Sequence, residues 1–345
     1  MSTQLVLLAP RQLGYEEQDD PPLKNDEVRL RTLYSGISAG TEMTVYRGTN
    51  VYMHKRWDAE RRLFLPEETP SWEYPVRNLG YEEVGEVIEV GDDVRDISPG
   101  MQVFGTWNHR TTAVIPADYA RQRRMPPGAR PIMGIFSHIG AVALNGVHDG
   151  RVCIGDTVAV FGLGVVGQIV LQALRRSGAR VIGVDLQPQR LQMAKEHGAW
   201  AVLNPKTDKV AEAIKDLTGG RGADVTFEAS GSPAALNEAI RSTAYSSRLV
   251  VMGFFQGEVG GLALGDEFHH NRINLVCSQI SGVAPELQHR WNRLRLWQTA
   301  VQLQAEGMLN LESLVSHSAP FQQAAQLYQI LDQSAESVMQ AVIEF

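Results

Sequence analysis

Cysteine is almost missing from this 345-residue chain: only Cys153 and Cys277 occur, far apart in sequence. Two distant thiols cannot build a disulfide framework, nor can they supply a four-cysteine zinc lobe. A long apolar run is missing too. The most hydrophobic stretch, Val158 to Leu171, carries three glycines and a glutamine and falls short of the roughly 20 apolar residues that span a bilayer, so no membrane partner is expected. Positive charge is in deficit. The 32 Lys and Arg face 39 Asp and Glu, a formal net charge of -7, which removes the basic face that nucleic-acid binding requires. The opening residues, MSTQLVLLAPRQ, hold neither a basic n-region nor a long apolar h-region, and a cytoplasmic location is expected. Internal repeats and low-complexity tracts are also lacking.

What is present is the composition of a globular protein, 43% hydrophobic and 21% charged, at a length that outgrows a single core and points to two domains. Residues 1 to about 125 contain short β-prone runs (QLVLLA, EVRLRTLYSGI, VGEVIEVG, MQVFGTW, TTAVIP) broken by Gly, Pro and Asp, the texture of a small irregular β domain. From about 155 to 280 the runs TVAVF, RVIGVD, AVLN, ADVTFEA, RLVVMGF and NLVCSQ alternate with amphipathic helical stretches such as QIVLQALRRSG and DKVAEAIKDLTGG. That alternation predicts a parallel sheet with helices on its faces. Two further helices, within WNRLRLWQTAVQLQAEG and FQQAAQLYQILDQ, precede a closing strand in VMQAVIEF. The fold class is therefore α/β. A β-rich domain of residues 1–138 and 284–345 is expected to be interrupted by a doubly wound parallel sheet over 139–283.

Gly162-Leu163-Gly164-Val165-Val166-Gly167 spells GxGxxG. Alone the pattern is weak; here it follows an apolar strand directly, opens an amphipathic helix at Gln168, and is followed by a strand ending in Asp185. Gly162 permits a tight turn, Gly164 lets backbone approach a pyrophosphate, Gly167 allows close helix–sheet packing, and the helix N-terminus offers free N–H groups to phosphate. Asp185 would accept from the adenosine ribose hydroxyls and repel a 2′-phosphate, so NAD is expected over NADP, with Arg190 flanking the adenine or, in the alternative, binding a 2′-phosphate. Ser230, in EASGS, is grouped with these cofactor contacts.

With SGISAGTE at 35 to 42, GYEEVGEVIEVGDDV at 80 to 94, PGMQVFG at 99 to 105, GDTVAVFGLGVVG and RGADVTFEASGSPAAL, the chain resembles the medium-chain dehydrogenase/reductase superfamily over essentially its whole length. Its look is similar to the branch of hydroxyethyl-bacteriochlorophyllide dehydrogenase and related sugar and cyclitol dehydrogenases. The resemblance implies a GroES-like catalytic domain carrying an inserted Rossmann domain, a cleft between them for a small-molecule substrate, and a homodimer. It also implies what is lost. Zinc-dependent members carry Cys where this chain has Ser38 and His where it has Tyr81, and neither replacement is a good zinc donor. His138, in IFSHIGAVAL, stands in or near the third ligand position, and Glu82 matches the glutamate beside the lost histidine. Zinc is not expected.

Without a metal, the proton leaving an oxidised alcohol needs a base within hydrogen-bond reach. Tyr81, His138 and Glu82 are the catalytic candidates. The positive nicotinamide ring would favour a Tyr81 phenolate, and histidine's ordinary pKa of about 6.5 suits proton acceptance. Plainer roles stay open: a packing ring for Tyr81, an interdomain contact for His138, an arginine acceptor for Glu82. Ser38, Glu42, His109 and Trp72 are candidate substrate contacts. Residues 49–76 hold five aromatics and a basic cluster of Lys55, Arg56, Arg61 and Arg62, either a lid for a ring-shaped substrate or a short surface helix. The reading is an NAD-dependent, zinc-independent oxidoreductase converting a secondary hydroxyl of a cyclic or polyhydroxylated substrate to a ketone, or the reverse. The alternatives are an NADPH-dependent quinone or enone reductase and a dinucleotide-binding protein without turnover.

Overall fold

A computed structural model describes residues 1–66, 69–257 and 259–345 of the chain. The chain begins with an antiparallel pair, β1 (Ser2–Ala9) and β2 (Gln12–Gln18). Strand β3 (Glu27–Ile37) follows, its Val28, Leu30 and Thr32 buried at every second position as one inward face of a strand demands. After helix α1 (Thr41–Arg47), a small hairpin of β4 (Arg56–Asp58) and β5 (Leu63–Leu65) replaces the surface helix that residues 49–76 left open. Then come β6 (Glu83–Val90), β7 (Gln102–Gly105), β8 (Thr112–Pro116), helix α2 (Ala117–Arg121) and helix α3 (Phe136–Gly150).

A parallel sheet takes over from there. Strands β9 (Thr157–Phe161), β10 (Arg180–Val184), β11 (Ala201–Leu203), β12 (Ala223–Glu228), β13 (Thr243–Val251) and β14 (Asn274–Cys277) alternate with helices α4 (Val165–Arg176), α5 (Pro188–Glu196), α6 (Val210–Leu217) and α7 (Pro233–Ser242). The strand order is β11-β10-β9-β12-β13-β14 and every pairing is parallel. Strand β9 has β10 on one side and β12 on the other, so the connections leave it in opposite directions. Such a reversal opens a crevice at the carboxyl ends of the strands, where ligands bind in this class of sheet. Helix α8 (Arg293–Ala305) follows, and the chain ends with β15 (Val315–Pro320), α9 (Ala324–Gln333) and β16 (Gln340–Glu344). Strand β16 pairs with β3, joining the mixed sheet ordered β15-β16-β3-β6-β7, with β8 also on β3. This is the GroES-like plus Rossmann architecture that the resemblance implied.

Internal contacts divide the chain into unit 1, Met1–His138 with Leu311–Phe345, and unit 2, Ile139–Asn310. The expected return at 284 is thus corrected to 311. The reason is α8: its Leu296 and Ala300 form one core with Ala141 and Leu144 of α3 and Ala173 of α4. A Cβ on Gly140 would come to 2.7 Å from that of Ala300, so the helices cross at glycine-allowed distance. Gln172 of α4 adds hydrogen bonds to the Asn310 backbone on both its amide atoms. Unit 1 holds a core of Leu5, Leu7, Ile37, Met43, Leu79, Leu327, Tyr328 and Ile343, and a second around Leu30, Val87, Val103 and Trp107. Full burial of side chains this size contributes about 1.5–3 kcal/mol each.

Candidate active site

In unit 2 the GxGxxG loop joins β9 to α4. Gly162 sits at φ +86°, and a Cβ there would come to 2.7 Å from Ser230, whose own loop crosses the turn. On Gly167 a Cβ would run into the Gly162 carbonyl oxygen. Gly164 differs: the nearest atom to a Cβ there is Arg190 Nη1 at 4.0 Å, so open space lies in front of it. No side chain caps the start of α4, which leaves its first N–H groups facing that space. Asp185 braces the loop, Oδ2 accepting from Leu163 N at 2.7 Å and Oδ1 from Gln187 N at 2.8 Å. Each of its oxygens keeps a lone pair for a further donor. Leu163 is buried, while Val165 and Val166 are half-buried at the helix mouth. The sequence did not flag Glu228, which takes N–H bonds from Ser230 and Gly231 and the Ser230 hydroxyl on its carboxylate. Only a buried acid at a strand end could have hinted at it. Open space at Gly164, unpaired helix N–H groups and the braced Asp185 together fit the pyrophosphate and ribose of a dinucleotide.

Unit 1 gathers most of the remaining candidates around the start of α1. Tyr81 hydrogen-bonds the side chains of Ser38 and Thr41, and its ring packs on His138 with centroids 4.8 Å apart. Both rings are half-buried and Thr41 is exposed, so this group is open to a ligand. Burial pushes the Tyr81 phenol well up, the charges of Glu82 and Glu42 push it further, and the Ser38 and Thr41 hydrogen bonds only partly offset them. Without a bound cofactor Tyr81 is therefore held as the neutral phenol, able to donate a hydrogen bond.

Glu82 lies beneath, 1% exposed, and among the described residues its Oε2 has no hydrogen-bond partner and no arginine pairs with it. Burial raises its carboxyl well above the usual range, and Glu42 and Glu83 add to the rise. Its free oxygen faces Gly36 of β3 so closely that a Cβ there would collide with it.

Glu42 and His109, expected to meet substrate, are placed differently. Glu42 is 3% and His109 0% exposed. Glu42 Oε1 accepts from Ser38 N at 2.9 Å, and Oε2 accepts from the Tyr328 hydroxyl at 2.7 Å with His109 Nε2 at 2.9 Å. His109 Nδ1 lies 2.7 Å from Ser35 Oγ, which donates to Glu83 Oε1 at 2.9 Å. Glu83 also accepts from Trp107 N at 2.8 Å. Burial pushes the Glu83 carboxyl up to about 7 against the opposing pull of His109. Neither residue reaches the surface, so direct substrate contact is withdrawn for both. Sequence reasoning missed Ser35, Glu83 and Tyr328. The helical spacing of Ala324, Leu327, Tyr328 and Leu331 places the Tyr328 hydroxyl inside, where it must find a partner, though nothing in the pattern names that partner.

Trp72 belongs to a separate cluster over the β4–β5 hairpin. It stacks on Tyr52 (4.8 Å, 21°), Phe64 meets Tyr52 edge-on at 5.3 Å, and Trp57 packs on Phe64 at 4.8 Å. Most of this aromatic surface is spent on itself, leaving Trp72 38% exposed.

The profile of the zinc-binding dehydrogenase family matches residues 165–295. D-guloside 3-dehydrogenase of Escherichia coli (strain K12) is 33% identical over 347 residues, covering 99% of both chains. This chain belongs to the medium-chain dehydrogenase/reductase superfamily. Its fold is shared with 2R,3R-butanediol dehydrogenase from Bacillus subtilis (TM-score 0.80, 21% identity, all of both chains) and galactitol-1-phosphate dehydrogenase from Escherichia coli (TM-score 0.79, 20% identity, 99% of this chain and 100% of that one). As a member of this superfamily the protein is an oxidoreductase that uses a nicotinamide cofactor. The zinc implied by the family profile is a different matter. Ser38 and Tyr81 offer a hydroxyl and a phenol held neutral, and among the described residues no group of three or more His, Cys, Asp or Glu is placed to hold a metal ion. That donor set does not fit zinc.

Proposed function

We propose that the protein oxidises a secondary hydroxyl of a sugar ring or similar polyhydroxylated substrate to the ketone, or catalyses the reverse reduction, using NAD and no zinc. The observation that carries this is the half-buried Tyr81–His138 pair, set with Ser38 and the exposed Thr41 in a chain 33% identical over its whole length to a D-guloside 3-dehydrogenase. Hydride acceptance is the chemistry that the nicotinamide supplies when bound. The residues of this chain then have the proton to manage. Tyr81, neutral, donates a hydrogen bond to the substrate oxygen and orients it, while the His138 imidazole takes the hydroxyl proton as general base. Glu82, beneath the pair, is kept neutral by burial and by the charges of Glu42 and Glu83, so it adds no charge to the pair. Asp185 supports NAD over NADP because an added 2′-phosphate would meet its carboxylate, already drawn into the loop.

A homodimer is supported by β14, an edge strand paired only with β13 among the described residues and carrying Leu275 43% exposed. A supply of NAD fits a cytoplasmic location. The test is a cofactor-reduction screen of glycosides, D-gulosides included, with free sugars, cyclitols and quinones alongside, on protein analysed for metal. Turnover of a glycoside or cyclitol with NAD by zinc-free protein is the expected result. Preference for NADPH with a quinone, or activity that tracks one zinc per chain, would overturn it.

A further inference from the structure

The buried network behind Tyr81 is not used by the chemistry above, and its hydrogen atoms can be assigned one by one. Ser35 has a single hydroxyl hydrogen, which goes to Glu83 Oε1 at 2.9 Å, so toward His109 Nδ1, 2.7 Å away, Ser35 Oγ can only accept. Tyr328 likewise spends its hydrogen on Glu42 Oε2 at 2.7 Å. His109 Nε2, 2.9 Å from that Glu42 oxygen and 3.0 Å from Tyr328 Oη, then faces two acceptors. With Glu83 ionised, both ring nitrogens carry hydrogen.

We propose that His109 is a buried imidazolium and the positioning residue of the Tyr81–His138 site, its two N–H groups locking Glu42 on one side and the Ser35–Glu83 pair on the other. This rests on the reading of that site as the place of proton transfer. Every element around the ring contributes a group: Glu42 from α1, Ser35 from β3, Glu83 from β6 and Tyr328 from α9. Arg110, next in the chain, adds a second cation that faces Glu83. Burial alone would lower His109; the charge and hydrogen bond of Glu42, with the charge of Glu83, override it and the net direction is up. Two routes lead from this ring to Tyr81. Glu42 Oε1 holds Ser38 N, and Ser38 hydrogen-bonds the Tyr81 side chain. Gly80, immediately before Tyr81, is pressed against the ring, where a Cβ would come to 2.6 Å from His109 Nδ1.

The first measurement is nitrogen NMR of protein labelled with 15N-histidine, the His109 signals being those lost in His109→Gln and, by their burial, slow to exchange. Two protonated ring nitrogens at pH 8 are expected; one bare nitrogen overturns the imidazolium. The second is hydrogen exchange by mass spectrometry: in His109→Gln, peptides covering 36–42 and 79–83 should exchange about tenfold faster while 162–167 is unchanged. Unchanged exchange in 36–42 overturns the positioning role. The third is kinetic, on the fastest glycoside: kcat falls about tenfold or more with KM for NAD held within about twofold, and an unaltered kcat overturns the proposal. Should His109→Gln not fold, Tyr328→Phe replaces it, with the same accelerated 36–42 exchange and about a threefold loss of kcat expected, and no change in either overturning it. A chain that turns over no sugar yet shows two protonated nitrogens and the exchange pattern removes the functional reading and leaves the His109 assignment standing.

Discussion

The cofactor loop of unit 2 and the Tyr81 group of unit 1 are held in place by different forces. Gly162 and Gly167 fix the loop by what they lack, since any side chain would strike Ser230 or the loop's own carbonyl. The Tyr81 group is fixed by buried charge: Glu42 and Glu83 are 3% and 0% exposed and share His109 between them. A region built on shape should respond to added volume and be indifferent to pH. One built on charge should tolerate small changes of volume but respond to pH.

Substitutions can break this contrast or sharpen it. The largest effect is expected from His138→Asn, which should lower kcat by about 10²–10⁴-fold, the usual worth of a general base, with NAD affinity intact by titration calorimetry. Gly167→Ala comes next: the added methyl has no room, and thermal melts should show a loss of about 1–3 kcal/mol along with weakened NAD binding. Its neighbour separates shape from fold. Gly164→Ala meets nothing nearer than 4.0 Å, so the apo melt should not move while the Kd for NAD rises about tenfold, a change of about 1.4 kcal/mol. A Gly164→Ala chain that melts early would mean that the open space serves the fold rather than the cofactor.

Charge is probed with Glu83→Gln. The Glu83 carboxyl, near 7 in the fold and about 4.3 when unfolded, binds its proton more tightly in the native state. Its contribution to stability is full below about pH 4.5 and is lost as pH rises through 7, by up to about 3 kcal/mol. Denaturant titrations from pH 5 to 8 should show the wild type weakening across that window and the variant flatter by up to this amount. Equal slopes would mean that Glu83 is not what makes unit 1 sensitive to pH. The smallest effect is at the rim: Trp72→Ala should raise the sugar KM about two- to fivefold with kcat unchanged, since the ring is already stacked on Tyr52.

The sequence makes the shape-built region easy to read and the charge-built one hard. The glycine spacing, the strand before it and Asp185 after it are local in sequence, and the structure brings them together as their order implied. Glu42, Glu83, His109 and Tyr328 come from α1, β6, the segment between β7 and β8, and α9. Their meeting depends on strand register and on the late return of β16 to β3, which no local pattern encodes. The same limit moved the return from 284 to 311. The amphipathic stripe of α8 showed that it packs, while its partners on α3 and α4 lie far back in the sequence.

Glu82 adds a question of timing. Its Oε2 is buried and unpartnered against Gly36 of β3, with the Gln340 amide of β16 close to the same glycine. A proton placed there exchanges with solvent slowly where it must wait for the strands to open. Its residence time would then be set by the opening rate of the sheet, a clock that belongs to the fold and runs independently of how much sugar or cofactor surrounds the protein.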